Sequence, residues 1–438
     1  MKKCVFAAVL ALSAFVAAFC EEFPIAGWTF MKAEQQRPVE VVVKEWKELG
    51  LTHPMSPILR VNSKEHARIR RMLDLCQENG MKLIVHDERV HWNCAGKVLK
   101  DDAPYRKCLA LAKAEWSSHP ACAGFVLLDE PDHNQINVCC KAAQLMKSAM
   151  PDKICFLNLL PWYSWIGPRI GSDAYAPYLD RVARESGLDM LCYDCYDQLA
   201  EGNDAENGFN VYFENLREWR EFVQRNSGRR FWVTLMCLSQ YHRSLRSRTD
   251  IRWQISTAAA MGAKGIIWYY PDLSCSQGMN NNDNAPINIL GDRTEVFDWL
   301  SYENRRFSRQ FGAEFMRLIP EGVFFVGFEE ARGGIKPFVG DADVVSVTSG
   351  KKPSLVSFFR DEDGGRYLAV VSLSRTVTSY VTIGLRDGLK PKRLDINCAY
   401  QPIPVEADPV MARKVGQALV NRLGDYLSPG QLVLFKLR

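Results

Sequence analysis

The chain has 438 residues, 47% of them hydrophobic and 24% charged, the balance of a globular protein with room for two or three domains. Its net charge of +4 argues against a nucleic-acid binder, which would carry a basic face or stripe. The 11 Trp, 15 Tyr and 22 Phe suit a large core and the walls of a sugar-binding cleft equally well.

The first twenty residues have the layout of a signal peptide. Lys2 and Lys3 precede an apolar run over 5–19, and Ala18, Phe19 and Cys20 give a cleavage spacing before Glu21 and Glu22. The run is short for a membrane span, and no later segment is apolar enough for one. Acylation of Cys20 is disfavoured because Phe19 is bulky where a lipoprotein signal has a small residue. The expectation is an exported protein, whether periplasmic, cell-surface or secreted. Without Cys4 and Cys20, twelve cysteines remain of the 14 in the chain. Cys139 and Cys140 are adjacent, and Cys192 and Cys195 form a CxxC that leaves pairing open. No second ligand pair stands at structural-zinc spacing, so most of these thiols are expected as small buried hydrophobes.

From 23 to 318 short apolar runs alternate with amphipathic stretches, which predicts parallel strands joined by crossover helices. Strands are expected at 23–28, 52–59, 82–86, 123–130, 154–158, 190–194, 230–236 and 265–270. Helices are expected at 39–49, 63–79, 135–150, 212–226, 251–261 and 295–318. Asn79-Gly80 and Met261-Gly262 supply helix stops. Eight strands in this order predict a (β/α)8 barrel of class α/β. After about 320 the pattern changes to short strands at 323–327, 344–348, 354–359, 367–372, 379–384 and 431–437, with one helix expected over 410–422. The run Asp361-Glu362-Asp363-Gly364-Gly365 is a hairpin turn. The expected organisation is a leader over 1–20, a barrel over 21–320 and a small C-terminal antiparallel β-sandwich over 321–438, the last in a structural role.

In such a barrel the C-terminal strand ends form the site. The strand bodies are apolar, yet their ends are polar or aromatic: Trp28; His86 and Asp87; Asp129 and Glu130; Asn158; Tyr193, Asp194 and Asp197; Gln240; Trp268 and Tyr269. Carboxylates beside aromatic rings suit glycoside hydrolysis, in which one carboxylic acid protonates the leaving oxygen and a second group stabilises or attacks the cationic carbon. Asp129-Glu130-Pro131 is the most specific signal. Strand alternation puts Leu128 and Glu130 on one side, and two adjacent carboxylates raise each other's pKa, which fits Glu130 as a general acid. Asp194, two strands away, is a further candidate. No Gly-rich phosphate loop joins a strand to a helix, so no organic cofactor is expected. Only seven His are present, none paired at ligand spacing, so no metal is expected either.

The strand-end pattern over 23–318 resembles the (β/α)8 glycoside hydrolases, whose acid/base Glu ends strand four, commonly within Asn-Glu-Pro. The resemblance implies a carbohydrate substrate and gives Glu130 the acid role. Those enzymes usually end strand seven in a nucleophilic Glu, whereas 231–240 contains no carboxylate. The Asp-Glu pair is also similar to that of hexosaminidases that use the substrate's own acetamido group. By that likeness Asp129 orients the acetamide, Glu130 protonates, and Tyr193 or Tyr269 supports. The preceding residues lack that family's His-x-Gly-Gly lead-in, so this second likeness is one of mechanism. A barrel that binds glycans without cleaving them is the competing reading, and its support is the missing strand-seven Glu. A metal-dependent deacetylase or esterase ranks last for want of ligands.

Overall fold

The computed structural model describes residues 22–29, 37–274, 281–350 and 352–438. The leader over 1–20 and most of the polar loop after Ser274 lie outside the described residues. Seven parallel strands form one sheet: β1 (Ile25–Trp28), β2 (Leu83–Val85), β3 (Cys122–Asp129), β4 (Ile154–Leu159), β5 (Met190–Asp194), β6 (Arg230–Met236) and β8 (Ile266–Tyr269). Their order is β1-β8-β6-β5-β4-β3-β2. A two-residue strand, β7 (Ser239–Gln240), pairs separately with β9 (Asn282–Asp283) above the barrel. Barrel strands, covered outside by helices and inside by one another's side chains, must be apolar along their length, which is why they read as short continuous runs.

The expected strand over 52–59 is not a regular strand, and this corrects the sequence reading. The segment still occupies its place in the ring. Thr52 N and Met55 N donate to Ile25 O and Gly27 O on β1, while Ile84 N donates to Pro54 O and Ser56 N to Ile84 O on the other side. Pro54 and Pro57 lack the N–H that a ladder needs, so the pairing survives only in fragments. This segment joins β1 to β2 and closes a (β/α)8 barrel. Helices Val39–Glu48, His66–Glu78, Ile136–Ala149, Tyr175–Ser186, Ala205–Arg225, Arg248–Ala260 and Glu295–Phe307 surround it. The expected long helix over 295–318 is interrupted by a π-turn at Ser308–Gly312.

Beyond Ile319 the strands pair antiparallel. Two sheets, of six and four strands, carry β10 (Ile319–Val326), β11 (Val344–Thr348), β12 (Ser354–Arg360), β13 (Arg366–Ser372) and β14 (Ser379–Arg386). β15 (Lys392–Leu394), β16 (Tyr400–Pro402), β17 (Glu406–Ala407), β18 (Val420–Leu427) and β19 (Leu432–Lys436) complete them. The helix expected over 410–422 is confined to Pro409–Val415. It stops at Gly416, whose φ is 71°, and Val420 already belongs to a strand. Alternation on β12 divides its side chains between two cores. Val356 and Phe358 face the second sheet, while Leu355 and Phe359 join the barrel's core. Arg220, on the helix Ala205–Arg225, is pinned at this joint. Its guanidinium donates to the carbonyls of Ala260, Glu321, Gly322 and Phe358. Burial pulls its pKa down to about 9.

Candidate active site

Asp129 ends β3, Asn158 lies near the end of β4 and Asp194 ends β5, so neighbouring strands bring all three to one end of the barrel. With Trp28, Glu130, Tyr196, Thr234 and Tyr269 they line a cavity of about 190 Å3. Strict alternation would have turned Asp129 away from Glu130. Two irregularities gather them instead. The β3–β4 register slips between Val126 and Leu128, and Glu130 takes a left-handed φ of 46°. That conformation is unfavourable for a residue other than glycine, and such strain collects at functional sites.

The cluster is tightly bonded. Asn158 Nδ2 donates to Asp129 Oδ1 at 2.8 Å and to Asp194 Oδ1 at 3.1 Å. The Glu130 and Asp194 carboxyls lie within hydrogen-bonding reach of each other. Such a bond exists only when one of the two holds a proton. Asp194 is the deepest, and burial, with the Glu130 and Asp129 charges behind it, pushes its carboxyl well above the usual range. Burial lifts Asp129 to about 7, against the pull of Asn158 and with a further push from Glu130. Glu130 is raised by burial and held down partly by Arg169, whose guanidinium stands 3.5 Å away at the rim. With one amide donor and one rim cation among them, burial and mutual repulsion hold all three carboxyls above the ordinary carboxylate range.

The wall opposite is neutral. Tyr196 and Tyr269 approach with ring centroids 5.0 Å apart. The Tyr269 hydroxyl is hydrogen-bonded by Gln240 and Asn282 from the β7–β9 pair, and Gln240 Nε2 donates to Asn282 Oδ1 at 2.8 Å. Thr234 Oγ1 and Asn158 Oδ1 are buried without a hydrogen-bond partner among the described residues. Both are available to a bound molecule. On β6, where the barrel hydrolases usually place a nucleophile, the residue facing the cavity is Thr234, so no carboxylate stands there.

Of the residues chosen from sequence, the structure brings Trp28, Asp129, Glu130, Asn158, Asp194 and Tyr269 together. Gln240 acts one step out, on Tyr269. His86 lines an adjoining cavity instead. Four others are corrected. Tyr193 points outward, stacked on Trp219 at 5.0 Å, as alternation with Asp194 demands. Trp268 is likewise on the outer face, its Nε1 donating to Asn304 Oδ1. Asp87 is buried in a chelate with Arg89 and accepts from Trp116 Nε1. Asp197 is paired with Arg243 at 2.5 Å. Cys192 and Cys195 are both free thiols, and Cys192 Sγ donates to Leu157 O. Three contributors were missed. Thr234 shows as a hydroxyl within an apolar run, and Tyr196 follows the Asp194 strand end. Arg169 comes from the short helix Gly167–Ile170, which carries no local signal. Among the described residues no group of three or more His, Cys, Asp or Glu has metal-binding geometry. No helix among them is long and apolar enough to cross a membrane.

The chain matches no family model and no curated protein. Solved structures do resemble it. A GH42 beta-galactosidase from G. stearothermophilus superposes with a TM-score of 0.59 at 8% identity, over 95% of this chain and 98% of that one. A beta-galactosidase from Bacillus circulans sp. alkalophilus gives 0.58 at 9% identity, over 95% and 99%. A beta-galactosidase from the psychrophilic Marinomonas ef1 gives 0.48 at 10% identity over 69% of this chain, and the chain spans only 63% of its length. At these identities the likeness is one of fold: a (β/α)8 barrel followed by a β-domain, an architecture found in glycoside hydrolases.

Proposed function

We propose that this protein is a glycoside hydrolase acting on N-acetylhexosamine glycans, with Glu130 as general acid and Asp129 orienting the substrate's 2-acetamido group. The observation that carries it is the adjacent Asp129–Glu130 pair turned into one cavity with no carboxylate facing it on β6. A conventional pair would flank the glycosidic bond at about 5–5.5 Å for retention or about 6.5–9.5 Å for inversion. Asp194 stands close enough to Glu130 to share a hydrogen bond, nearer than either of those separations, which argues against it as that partner. The second nucleophile then has to come from the substrate.

In the first step the acetamide carbonyl oxygen attacks C1. The C1–O bond to the leaving group breaks, and that oxygen takes the Glu130 proton. Asp129 accepts the acetamide N–H and stabilises the positive charge that develops on the ring so formed. In the second step the Glu130 carboxylate removes a proton from water, which attacks C1 and regenerates the acetamide with net retention. In this mechanism Tyr269, hydrogen-bonded by Gln240 and Asn282, donates to the acetamide oxygen. Asp194 and Asn158 set the charge state of the pair. The apolar leader over 5–19 supports export, which N-terminal sequencing of the mature protein would test. In this proposal residues 21–320 are the catalytic unit.

The test is hydrolysis of 4-nitrophenyl β-glycosides with and without a 2-acetamido group. General acid catalysis contributes about 10²–10⁴-fold, so Glu130→Gln and Asp129→Asn should each lose at least a hundredfold on the N-acetylated substrates. Cleavage of non-acetylated glycosides at the same rate would sink the acetamide mechanism. Binding without any turnover in the wild type would leave a glycan-binding barrel in its place.

A further inference from the structure

Beside the carboxylate cavity lies a second one of about 290 Å3. The two share Trp28 and Asp129. The base of the second is apolar, from Ile58, Val126 and Leu128, and its polar wall comes from the segments after 59 and 86. That wall is organised around Glu88, which accepts from Arg60 Nη1 at 3.0 Å, Val61 N at 3.0 Å and Asn93 Nδ2 at 2.7 Å. His86 is 5% exposed and its side chain makes no hydrogen bond among the described residues; its ring packs against that of His91, with centroids 5.4 Å apart. Burial keeps His86 near about 3 and lowers His91, so both imidazoles are neutral at physiological pH. His86 then offers one N–H and one lone pair, while His91, whose Nδ1 accepts from Asn93 N at 3.4 Å, offers its Nε2–H. The Arg60 charge is already matched by Glu88.

A neutral array of donors and acceptors over an apolar floor suits the hydroxyls and amides of a sugar better than an anion. Position fixes which sugar. The leaving group must depart beside the acid, and Glu130 stands at the solvent side with Arg169, their side chains 33% and 51% exposed. Glu130 does not line the second cavity, which begins beyond Asp129. The second cavity therefore lies on the glycone side of the bond that is cut.

Resting on the hydrolase reading above, we propose that the Arg60–His86–Glu88–His91–Asn93 cavity is a glycone-side subsite for one further sugar unit, so that the enzyme cuts within a chain rather than releasing a terminal sugar. The test compares two substrates with one leaving group: the 4-nitrophenyl β-glycosides of N-acetylglucosamine and of N,N′-diacetylchitobiose. The ratio of their kcat/KM values is the readout. Wild type should favour the disaccharide glycoside at least tenfold, and His91→Ala and Asn93→Ala should each bring the ratio to about one. Partial unfolding lowers both rates alike and leaves the ratio where it was, so a damaged variant cannot imitate the result. A wild-type ratio of one, or a ratio that survives in both variants, overturns the subsite while the hydrolase reading stands. If wild type cuts neither glycoside, the hydrolase reading falls and the subsite falls with it.

Discussion

Replacing Asn158 by leucine probes the charge state of the site directly. The amide donates to both Asp129 and Asp194, and leucine keeps its approximate size while removing both bonds. A hydrogen bond to a charged group contributes about 1.5–3 kcal/mol, and one pKa unit corresponds to about 1.4 kcal/mol. Burial already pushes Asp194 well above the usual carboxylate range, so the bond matters mainly at Asp129. Asp129 loses a bond that favours its ionised form, and its pKa should climb from about 7 by roughly one to two units. Asp129 must be ionised to accept the acetamide N–H. The acid limb of the kcat/KM profile should therefore move to higher pH by that amount, measured on a 4-nitrophenyl N-acetylhexosaminide.

Stability should follow the same titration. The folded pKa of Asp129 lies above its unfolded value, so its contribution is fully present below about 4 and is lost as pH rises through about 7. In Asn158→Leu that loss should extend to higher pH, read as melting temperature against pH. An acid limb that stays in place in a well-folded variant would show that Asp129 is not the group that must ionise, and the orienting role would have to be abandoned.

Two further substitutions test the surroundings. Arg169→Met removes the cation that holds Glu130 down, so the alkaline limb should move to higher pH, by a small amount because the pair is partly exposed; a limb that falls would contradict the acid assignment. Arg220→Met should cost about 3–5 kcal/mol in urea unfolding, since it strands buried carbonyls on both sides of the joint between barrel and sandwich; a loss under about 1 kcal/mol would mean the joint does not depend on that residue.

The barrel was legible because strands covered on both faces must be continuous apolar runs between turn signals, and seven of the eight follow that rule. The eighth, over 52–59, has the hydrophobicity of a strand, but Pro54 and Pro57 deny it a ladder. The site was legible in part for a similar reason. Asp194 faces inward, so period-two alternation sends Tyr193 outward, and Ile267 and Trp268 obey the same geometry on β8. Alternation fails at Asp129 and Glu130, because a slipped register and a left-handed residue are properties of the folded chain that no local pattern announces. Arg169 belongs to the same class: only the fold brings its loop over the β3 end.

That failure of alternation has a cost that can be measured. Glu130 pays twice, once for a positive φ that disfavours most side chains by about 1–2 kcal/mol, and again for a third carboxyl beside Asp129 and Asp194. Asparagine tolerates the left-handed region and carries no charge. Glu130→Asn should therefore raise the urea midpoint at unchanged m, by about 1–2 kcal/mol of stability, while hydrolysis of N-acetylated glycosides is lost. Glu130→Ala separates the two contributions, because alanine removes the charge and keeps the strained φ. Its midpoint should fall between those of wild type and Glu130→Asn. If Glu130→Asn is instead less stable than wild type, neither strain nor repulsion is held at this position, and the gathering of the two carboxyls needs no functional explanation.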